Sequence, residues 1–181
     1  MGKINKESYI INDKELILRT AEVQDSERII NLLKKIDEET TFMLREPGEF
    51  QLSLEQEEKI LQDMLASKTS TLIAAEFEGK IIGTCGINGN TRKRISHIAS
   101  LGIAIEKEYW SQGIGRKLME AGIKWAKVSG ITRLTLEVDT DNYKALSLYL
   151  KLGFEIEGTH RNDKRLADGS YKSGYSMALL W

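Results

Sequence analysis

The residues Gln112–Lys117 form a glycine-containing segment whose residue types suit the binding of an anion. They follow an apolar stretch, Leu101–Ile105, and begin a segment with apolar residues at helical spacing. The first turn of a helix has free backbone N–H groups and a partial positive charge, and glycines let a large anion approach that backbone closely. The segment therefore predicts a pyrophosphate site. The residues expected to form it are Gln112, Gly113, Ile114, Gly115, Arg116 and Lys117.

Other interpretations of this turn are less favoured. A phosphate-binding P-loop requires Gly-Lys-Ser/Thr, which does not follow at the required spacing. In a dinucleotide-binding motif the third glycine would fall at Leu118, so that motif is also disfavoured. A turn that uses its glycines only for packing stays an alternative on this feature alone.

The elements that must position this segment follow from periodicity and from turn residues. Strands are expected at Glu15–Thr20, Thr71–Phe77, Ile81–Ile87, Ile95–Ile105, Thr132–Val138, Phe154–Gly158 and Tyr171–Leu180. Helices are expected to begin at Gln24 or Asp25, at Ser53 through a capping box with Gln56, at Gly113 and at Asn142. Strand-helix-strand units around a central hairpin predict the α/β class, with a mixed sheet covered by helices.

The composition is that of a globular protein and excludes several classes of function. The 181 residues, 41% apolar and 29% charged, fit a single domain, 1–181, in which residues 1–12 are a flexible or additional N-terminal segment. A formal net charge of −1 and the lack of an 18-residue apolar stretch predict no nucleic-acid partner, no membrane partner and a cytoplasmic location. One cysteine and two separated histidines, His97 and His160, predict no metal site.

A second motif accompanies the glycine segment and supports a family resemblance. Its residues are Leu136-Glu137-Val138, Asn142, Ala145, Leu148-Tyr149 and Gly153-Phe154. Together with Gln112-Gly113-Ile114-Gly115 and Leu118, in this order and spacing, most of the chain resembles the GNAT (GCN5-related N-acetyltransferase) superfamily. The resemblance implies a GNAT acyl-CoA N-acyltransferase fold, in which a mixed central sheet, flanked by helices, is splayed at the site of acetyl-CoA (coenzyme A).

The resemblance also implies roles for individual residues. Pantetheine would enter between the strands Leu101–Ile105 and Thr132–Val138 and pair with the backbone like an additional strand. The strand residues expected to contact it are Ile103, Ala104 and Ile105, with Asn142 and Tyr149 at the thioester end. Trp110 stands where the family usually has Gln or Arg, which puts in doubt only that side chain's contribution.

Acetyl transfer to an amine needs a proton donor for the leaving thiol and a base for the amine. Tyr149 resembles the family's general acid, and a core aromatic residue is the alternative. His97 lies on the predicted strand that leads to the cofactor site and shares the parity of Ile103 and Ile105, so it is the first candidate base, equally open to a structural role. Glu76 or Glu137, acting through water, are the other candidates. Cys85 lies in an apolar strand, which favours an inert thiol and direct transfer in a ternary complex.

The acceptor is expected to be a small-molecule or peptide amine. Residues 37–58 are rich in carboxylates, which would attract a cationic amine, although solvated helix faces explain part of them. The residues expected to contact the acceptor are Glu38, Glu39, Phe42 and Glu46. The resulting prediction is an acetyl-CoA-dependent N-acetyltransferase. A non-catalytic acyl-CoA sensor and an O-acetyltransferase are the alternatives, and the apolar end at Trp181 leaves a homodimer open.

Overall fold

A computed structural model describes residues 3–181 of the chain. Its strands are β1 (Glu7–Ile11), β2 (Lys14–Thr20), β3 (Thr71–Phe77), β4 (Lys80–Gly89), β5 (Ile98–Ile105), β6 (Arg133–Asp139), β7 (Glu155–Arg165) and β8 (Tyr171–Leu180). Its α-helices are α1 (Ser26–Glu39), α2 (Leu54–Ala66), α3 (Ile114–Val128) and α4 (Tyr143–Lys151). No helix among residues 3–181 is long and apolar enough to cross a membrane.

The strands form one sheet in the order β1-β2-β3-β4-β5-β6-β8-β7. Neighbouring strands are antiparallel except β5 and β6, which are parallel. A parallel pair needs a crossover connection, and α3 provides it. The sheet is therefore mixed and flanked by helices, as predicted.

Alternate strand residues bury against different helices. Ile73 of β3 packs in a cluster with residues of α3 and α4, whereas the next residue, Ala74, packs in a cluster with residues of α1 and α2. Because successive side chains of a strand point to opposite faces, the two helix pairs cover opposite faces of the sheet. We refer to these as the α3/α4 face and the α1/α2 face.

The parallel pair separates along its length. Pairing between β5 and β6 is confined to Ile98–Ser100 and Arg133–Thr135. Beyond it β5 continues to Ile105, still paired with β4, and β6 continues to Asp139, still paired with β8. A gap therefore opens between residues 101–105 and residues 136–139, and this gap is the predicted splay of the sheet.

Most predicted elements are confirmed, and the differences lie in the two edge strands and at the start of β5. The capping box at α2 is complete: the amide of Gln56 donates to the Ser53 hydroxyl at 3.2 Å, and the amide of Ser53 donates to the Gln56 side chain at 2.8 Å. The patterning did not predict β1, which adds an edge strand within residues 1–12. The strand predicted to end at Gly158 continues to Arg165. The strand predicted from Ile95 begins only at Ile98.

Candidate functional site

The first turn of α3 presents backbone donors that the protein does not use. Gly113, the residue before the helix, has a φ of +83°, which favours glycine, and no side chain caps the helix. The amide of Lys117 donates to the Gly113 carbonyl at 3.2 Å. Within residues 3–181, the preceding amides of Ile114, Gly115 and Arg116 have no acceptor. These free N–H groups and the helix dipole form an anion site.

The loop before α3 is held by α4. Ser111 has a φ of +63°, uncommon for a residue with a side chain, and its hydroxyl contacts the ammonium of Lys144 at 3.2 Å. A β-carbon on Gly115 would lie 3.4 Å from Leu148, also on α4, and 3.5 Å from Ile105. Gly115 therefore faces the protein interior. At these distances a β-carbon would make ordinary van der Waals contacts, so packing alone does not require glycine at position 115, whereas the positive φ favours glycine at position 113.

The hydrogen-bond register decides which backbone groups of β5 face the gap. Ile105 lies opposite Gly83 of β4, and the amide of Glu106 donates to the carbonyl of Ile82 at 3.0 Å. In an antiparallel ladder this bond marks the Ile105–Gly83 pair as the non-hydrogen-bonded type. Alternate residues of β5 therefore direct their N–H and C=O groups away from β4. Ile103 and Ile105 direct both backbone groups toward the gap, and Leu101 directs only its carbonyl there, because the parallel Ser100–Thr135 pair uses the N–H of Leu101.

Ala104 lies in the other register. Its backbone groups face β4, and its side chain packs with α1 on the α1/α2 face. The prediction that Ala104 contacts the cofactor is therefore not supported, because neither its polar atoms nor its methyl group faces the gap.

Trp110 occupies one of the gap-facing groups. Its indole N–H donates to the carbonyl of Ile105 at 2.7 Å, and its ring centroid lies 6.5 Å from that of Phe42. The predicted pairing of pantetheine with Ile105 is thereby reduced to the N–H group, whereas both backbone groups of Ile103 have no partner among residues 3–181. The sequence showed Trp110 only as a departure from the family pattern.

The polar side chains of the glycine segment are partly engaged. Gln112 donates to the Glu108 carbonyl at 2.9 Å and accepts from Asn12 at 3.2 Å, so its backbone is what remains for a ligand. Arg116 lies 3.5 Å from Glu120 and stays 45% exposed, which leaves its charge accessible. The ammonium of Lys117 lies 3.8 Å from the centre of a tyrosine ring of β1.

Asn142 begins α4 and retains a free donor. Its side-chain oxygen accepts from the amide of Ala145 at 3.3 Å, which caps the helix. Its side-chain NH₂ group has no acceptor in the described part of the chain. The residue can therefore cap the helix and donate to a ligand at the same time.

Tyr149 lies on the same helix and is buried on the α3/α4 face. Its ring centroid is 6.0 Å from that of Phe154, and its phenol makes no hydrogen bond within residues 3–181. Burial, with a smaller contribution from Cys85, raises the pKa of Tyr149 above its ordinary value. The phenol therefore stays protonated near neutral pH, and the same shift makes it a weaker acid toward a thiolate.

His97 lies away from the gap. It is exposed in the turn before β5, and its carbonyl accepts from the amides of Thr132 and Arg133, at the end where β5 and β6 are joined. Ile103 is six residues further, roughly 20 Å along the strand. The position does not support the predicted role of His97 as a base, since the paired segment separates it from the gap.

Glu137 has the placement that His97 lacks. It lies on β6 where the gap is open, and its side chain is exposed, whereas its neighbours Leu136 and Val138 are buried on the α3/α4 face. By alternation Glu137 points to the α1/α2 face. Among the described residues it has no ion pair or hydrogen-bond partner. A carboxylate with these properties is free to accept a proton.

Cys85 is fully buried, and burial raises the pKa of its thiol to about 12. A buried neutral thiol is a poor nucleophile. The structure therefore gives no support to a covalent acetyl-cysteine route.

A cavity of about 560 Å³ lies between the end of α1, the loop that follows it and β7. All four predicted acceptor residues, Glu38, Glu39, Phe42 and Glu46, line it. Glu39 is engaged, because its carboxylate accepts from the amide of Lys107 at 2.7 Å. The side chains of Glu38 and Glu46 have no partner in the described region and can contact an acceptor. Phe42 is fixed between the Trp110 ring and the ammonium of Lys172, 4.4 Å from its ring centre.

The cavity also has a positive side, which the sequence did not indicate. Lys107, Lys164 and Arg165 line it together with the carboxylates. Lys164 is tied to the buried Asp139 at 2.5 Å, whereas the side chains of Lys107 and Arg165 have no partner within residues 3–181. Lys164 and Arg165 follow Glu38 by more than 120 residues, so only the fold brings these opposite charges together.

The site fits coenzyme A and shows no arrangement for a metal. Free amides at α3 match a diphosphate, and the unpaired backbone of β5 matches an extended amide-containing chain. No group of three or more His, Cys, Asp or Glu side chains within residues 3–181 could hold a metal ion.

Comparisons with known proteins agree with this geometry. Residues 30–154 match the model of the acetyltransferase (GNAT) family. The L-amino acid N-acetyltransferase AaaT of Escherichia coli K12 is 29% identical over 172 residues, which cover 92% of this chain and 98% of that protein. The ribosomal protein bS18-alanine N-acetyltransferase of the same strain is 39% identical over 67 residues, 37% of this chain and 45% of that protein. The crystal structure of a GNAT-family acetyltransferase from Streptococcus pneumoniae superimposes with a TM-score of 0.89 at 36% identity, covering 92% and 99% of the two chains.

Proposed function

The chain belongs to the acetyltransferase (GNAT) family, and from this membership we infer that it is an N-acetyltransferase that moves the acetyl group of acetyl-CoA to a primary amine. When bound, acetyl-CoA supplies an acetyl group activated as a thioester, which the amine accepts as the thiol is released. The observation that carries the proposal is the set of free amides on Ile114, Gly115 and Arg116 beside an open gap between β5 and β6.

The binding residues follow from which groups are free. The amides of the first turn of α3, with Arg116 and Lys117 beside them, hold the diphosphate. The carbonyl of Leu101, the backbone of Ile103 and the N–H of Ile105 hold the pantetheine chain in the gap. The free NH₂ group of Asn142 donates near the thioester end.

Two side chains on opposite faces of the sheet carry the proton transfers. On the α3/α4 face, the protonated phenol of Tyr149 gives a proton to the departing sulfur. On the α1/α2 face, Glu137 takes a proton from the amine, directly or through water, and returns it to solvent. The amine thereby attacks in its neutral form. Attack makes its nitrogen cationic, and the proton that this nitrogen loses as the amide forms replaces, through water, the proton that Tyr149 gives to the sulfur, so both residues return to their starting protonation states. The inert thiol of Cys85 favours this direct transfer in a ternary complex.

The charges of the acceptor cavity favour an amine that also carries a carboxylate. Free carboxylates on Glu38 and Glu46 suit an ammonium group, and free cations on Lys107 and Arg165 suit a carboxylate in the same cavity. A free amino acid has both groups. AaaT, which matches this chain over almost its whole length, is named for that class of acceptor.

A thiol-release assay with acetyl-CoA tests the function. The panel pairs each L-amino acid with its amide and with the amine that lacks the carboxylate. We expect the free amino acid to be preferred by at least about tenfold. The amide and the amine lack the carboxylate that would accept a charge-assisted hydrogen bond from Arg165. Arg165→Gln should remove the preference, whereas the control Arg161→Gln, exposed on the same strand but outside the cavity, should keep it. An equal response to all three compounds would contradict the acceptor proposal.

The same assay separates the alternatives. Binding of coenzyme A without thiol release for any amine would indicate a sensor, and release with hydroxyl compounds only would indicate an O-acetyltransferase. A cytoplasmic location and a homodimer remain predictions. The dimer prediction rests on Trp181, which is 39% exposed, and the neighbouring Leu180 is 62% exposed.

A further inference from the structure

The N-terminal strand β1 lies directly against α3. The carboxylate of Glu7 pairs with the ammonium of Lys124 at 3.0 Å. The ammonium of Lys117 lies over the ring of Tyr9, 3.8 Å from the ring centre. Glu7 and Tyr9 are two residues apart on a strand, and the two lysines are two turns apart on the helix, so one face of β1 follows one side of α3.

The turn after β1 makes a second contact with the glycine segment, Gln112–Lys117. Asn12 and Asp13 have φ values of 49° and 62°, the left-handed conformation that Asn and Asp tolerate in a two-residue hairpin. In this turn the side-chain NH₂ group of Asn12 donates to the side-chain oxygen of Gln112 at 3.2 Å. The hairpin therefore contacts the glycine segment at Gln112 and at Lys117.

We propose that β1 is part of the cofactor site, with Tyr9 as a positioning residue that holds the ammonium of Lys117 beside the first turn of α3 for the diphosphate of coenzyme A. The proposal rests on the proposed function, because it assigns a role at the same site. It adds a segment that lies outside residues 30–154, which match the family model.

The physical reason is pre-organisation of a flexible cation. Lys117 is the fourth residue of α3, and long side chains on a helix point back toward its N-terminus, where the free amides lie. A free lysine side chain loses rotamer entropy when it binds a phosphate. The negative face of the Tyr9 ring attracts the ammonium and restricts it beforehand, while the opposite side of the ammonium stays available.

The ring itself is held in place. The Tyr9 hydroxyl donates to Glu7 at 2.6 Å, and the ring is partly buried against the core of the α3/α4 face. Because the attraction to Lys117 comes from the ring, phenylalanine should preserve it, whereas an aliphatic side chain of similar size should not.

Calorimetric titration with coenzyme A tests the proposal. Wild-type protein is measured first, since failure of the wild type to bind would overturn the proposed function rather than this inference. We expect Tyr9→Leu and Tyr9→Met to weaken binding about three- to tenfold and Tyr9→Phe to stay within about twofold of wild type. Equal affinity of wild type and both aliphatic variants would overturn the proposal.

Two further measurements exclude a merely structural effect. The KM for S-acetylpantetheine, which has no diphosphate, should be unchanged in Tyr9→Leu, and kcat with saturating acetyl-CoA should also be unchanged. In a Lys117→Met background, Tyr9→Leu should have no additional effect on coenzyme A affinity, because the two residues act as one unit. Additive losses, or an equal loss with the diphosphate-free compound, would show that Tyr9 acts on the fold alone. Lys124→Met, which removes a cation further along the same helix, is the matched control and should bind coenzyme A as wild type does.

Discussion

The indole N–H of Trp110 donates to the carbonyl of Ile105, 2.7 Å away, and so joins the loop before α3 to the last residue of β5. The same ring packs near Phe42 of the acceptor cavity. One side chain therefore borders the cofactor gap and the acceptor cavity.

Trp110→Phe should separate these two contacts. The ring near Phe42 would remain, and the hydrogen bond would be lost, at a cost of about 1 kcal/mol in unfolding free energy. Because the loop would be less well fixed, we expect the KM for acetyl-CoA to rise a few-fold with little change in kcat. Chemical denaturation and steady-state kinetics measure both. Trp181→Phe, at the end of the chain, is the control, and an unchanged KM in Trp110→Phe would contradict the prediction.

Tyr149→Phe should lower kcat by about a hundredfold while the affinity for coenzyme A stays the same, because only the proton donor is removed. Tyr143→Phe, on the same helix but 75% exposed, should have no effect. Since burial raises the pKa of the Tyr149 phenol, it stays neutral through the usual assay range, and wild-type kcat should not fall from deprotonation of this group up to about pH 10. Wild-type turnover in the variant would exclude the acid role.

Glu137→Gln should reduce kcat/KM for the acceptor by about tenfold or more, because the amide cannot take the proton of the amine. Coenzyme A affinity should be unchanged. Glu155→Gln, another exposed carboxylate of the sheet without a partner among the described residues, provides the control. If both variants turn over equally, the base lies elsewhere.

Gly113→Ala and Gly130→Ala form a matched pair. The two glycines stand at opposite ends of α3, with φ values of +83° and +78°, and a β-carbon at either position would meet no atom within 4 Å. Both substitutions should therefore cost about 1 kcal/mol of stability through the backbone alone. Only Gly113→Ala should weaken coenzyme A binding in calorimetry, since only that end holds the free amides. Equal coenzyme A affinity in the two variants would argue against a diphosphate at α3.

Glu106 makes the stability of the fold depend on pH. It is buried, which by itself would raise its pKa, but hydrogen bonds from Lys35 and Lys80 outweigh burial and hold the pKa below its ordinary value of 4.5. A depressed folded-state pKa means that the stabilisation is complete well above pH 4.5 and is lost as the pH falls through the lower folded-state value. Glu106→Gln should therefore lower the unfolding free energy by about 2 kcal/mol at pH 7 and flatten its decline in acid.

The control for this prediction is Glu108→Gln, which removes an exposed partner of the same Lys35. Thermal unfolding from pH 3 to pH 7 should show little change for this variant. If the stability of Glu106→Gln declines in acid as steeply as that of wild type, the assignment of this pH dependence to Glu106 is contradicted.

The sequence predicted the interior of the fold well because burial leaves a periodic pattern. The apolar spacing after Gly113 led to a helix that begins one residue later than predicted, and the alternation of β6 led to a strand whose two ends each differ by one residue. β7 was predicted too short, since its last residues, up to Arg165, are polar on both faces of an edge strand and carry no periodic signal. β1 was missed for a related reason, because a five-residue edge strand buries little.

The sequence predicted the parts of the candidate site that are formed by local backbone. It did not predict the parts that depend on side chains distant in sequence. The free amides after Gly113 follow from a local motif. The occupation of Ile105 by Trp110, the engagement of Glu39 by Lys107 and the distance of His97 from the gap depend on tertiary contacts. Alternation along one strand placed His97 on the correct parity, but it did not indicate where the neighbouring strands separate.

The free first turn of α3 also has a thermodynamic consequence. The longest helix of the described chain, α3, begins with three amides that have no partner among residues 3–181, so under the proposed function the diphosphate of another molecule completes its hydrogen bonding. Folding and ligand capture are then a single linked equilibrium, in which the abundance of the thioester sets how firmly this helix, and the strands beneath it, are held together.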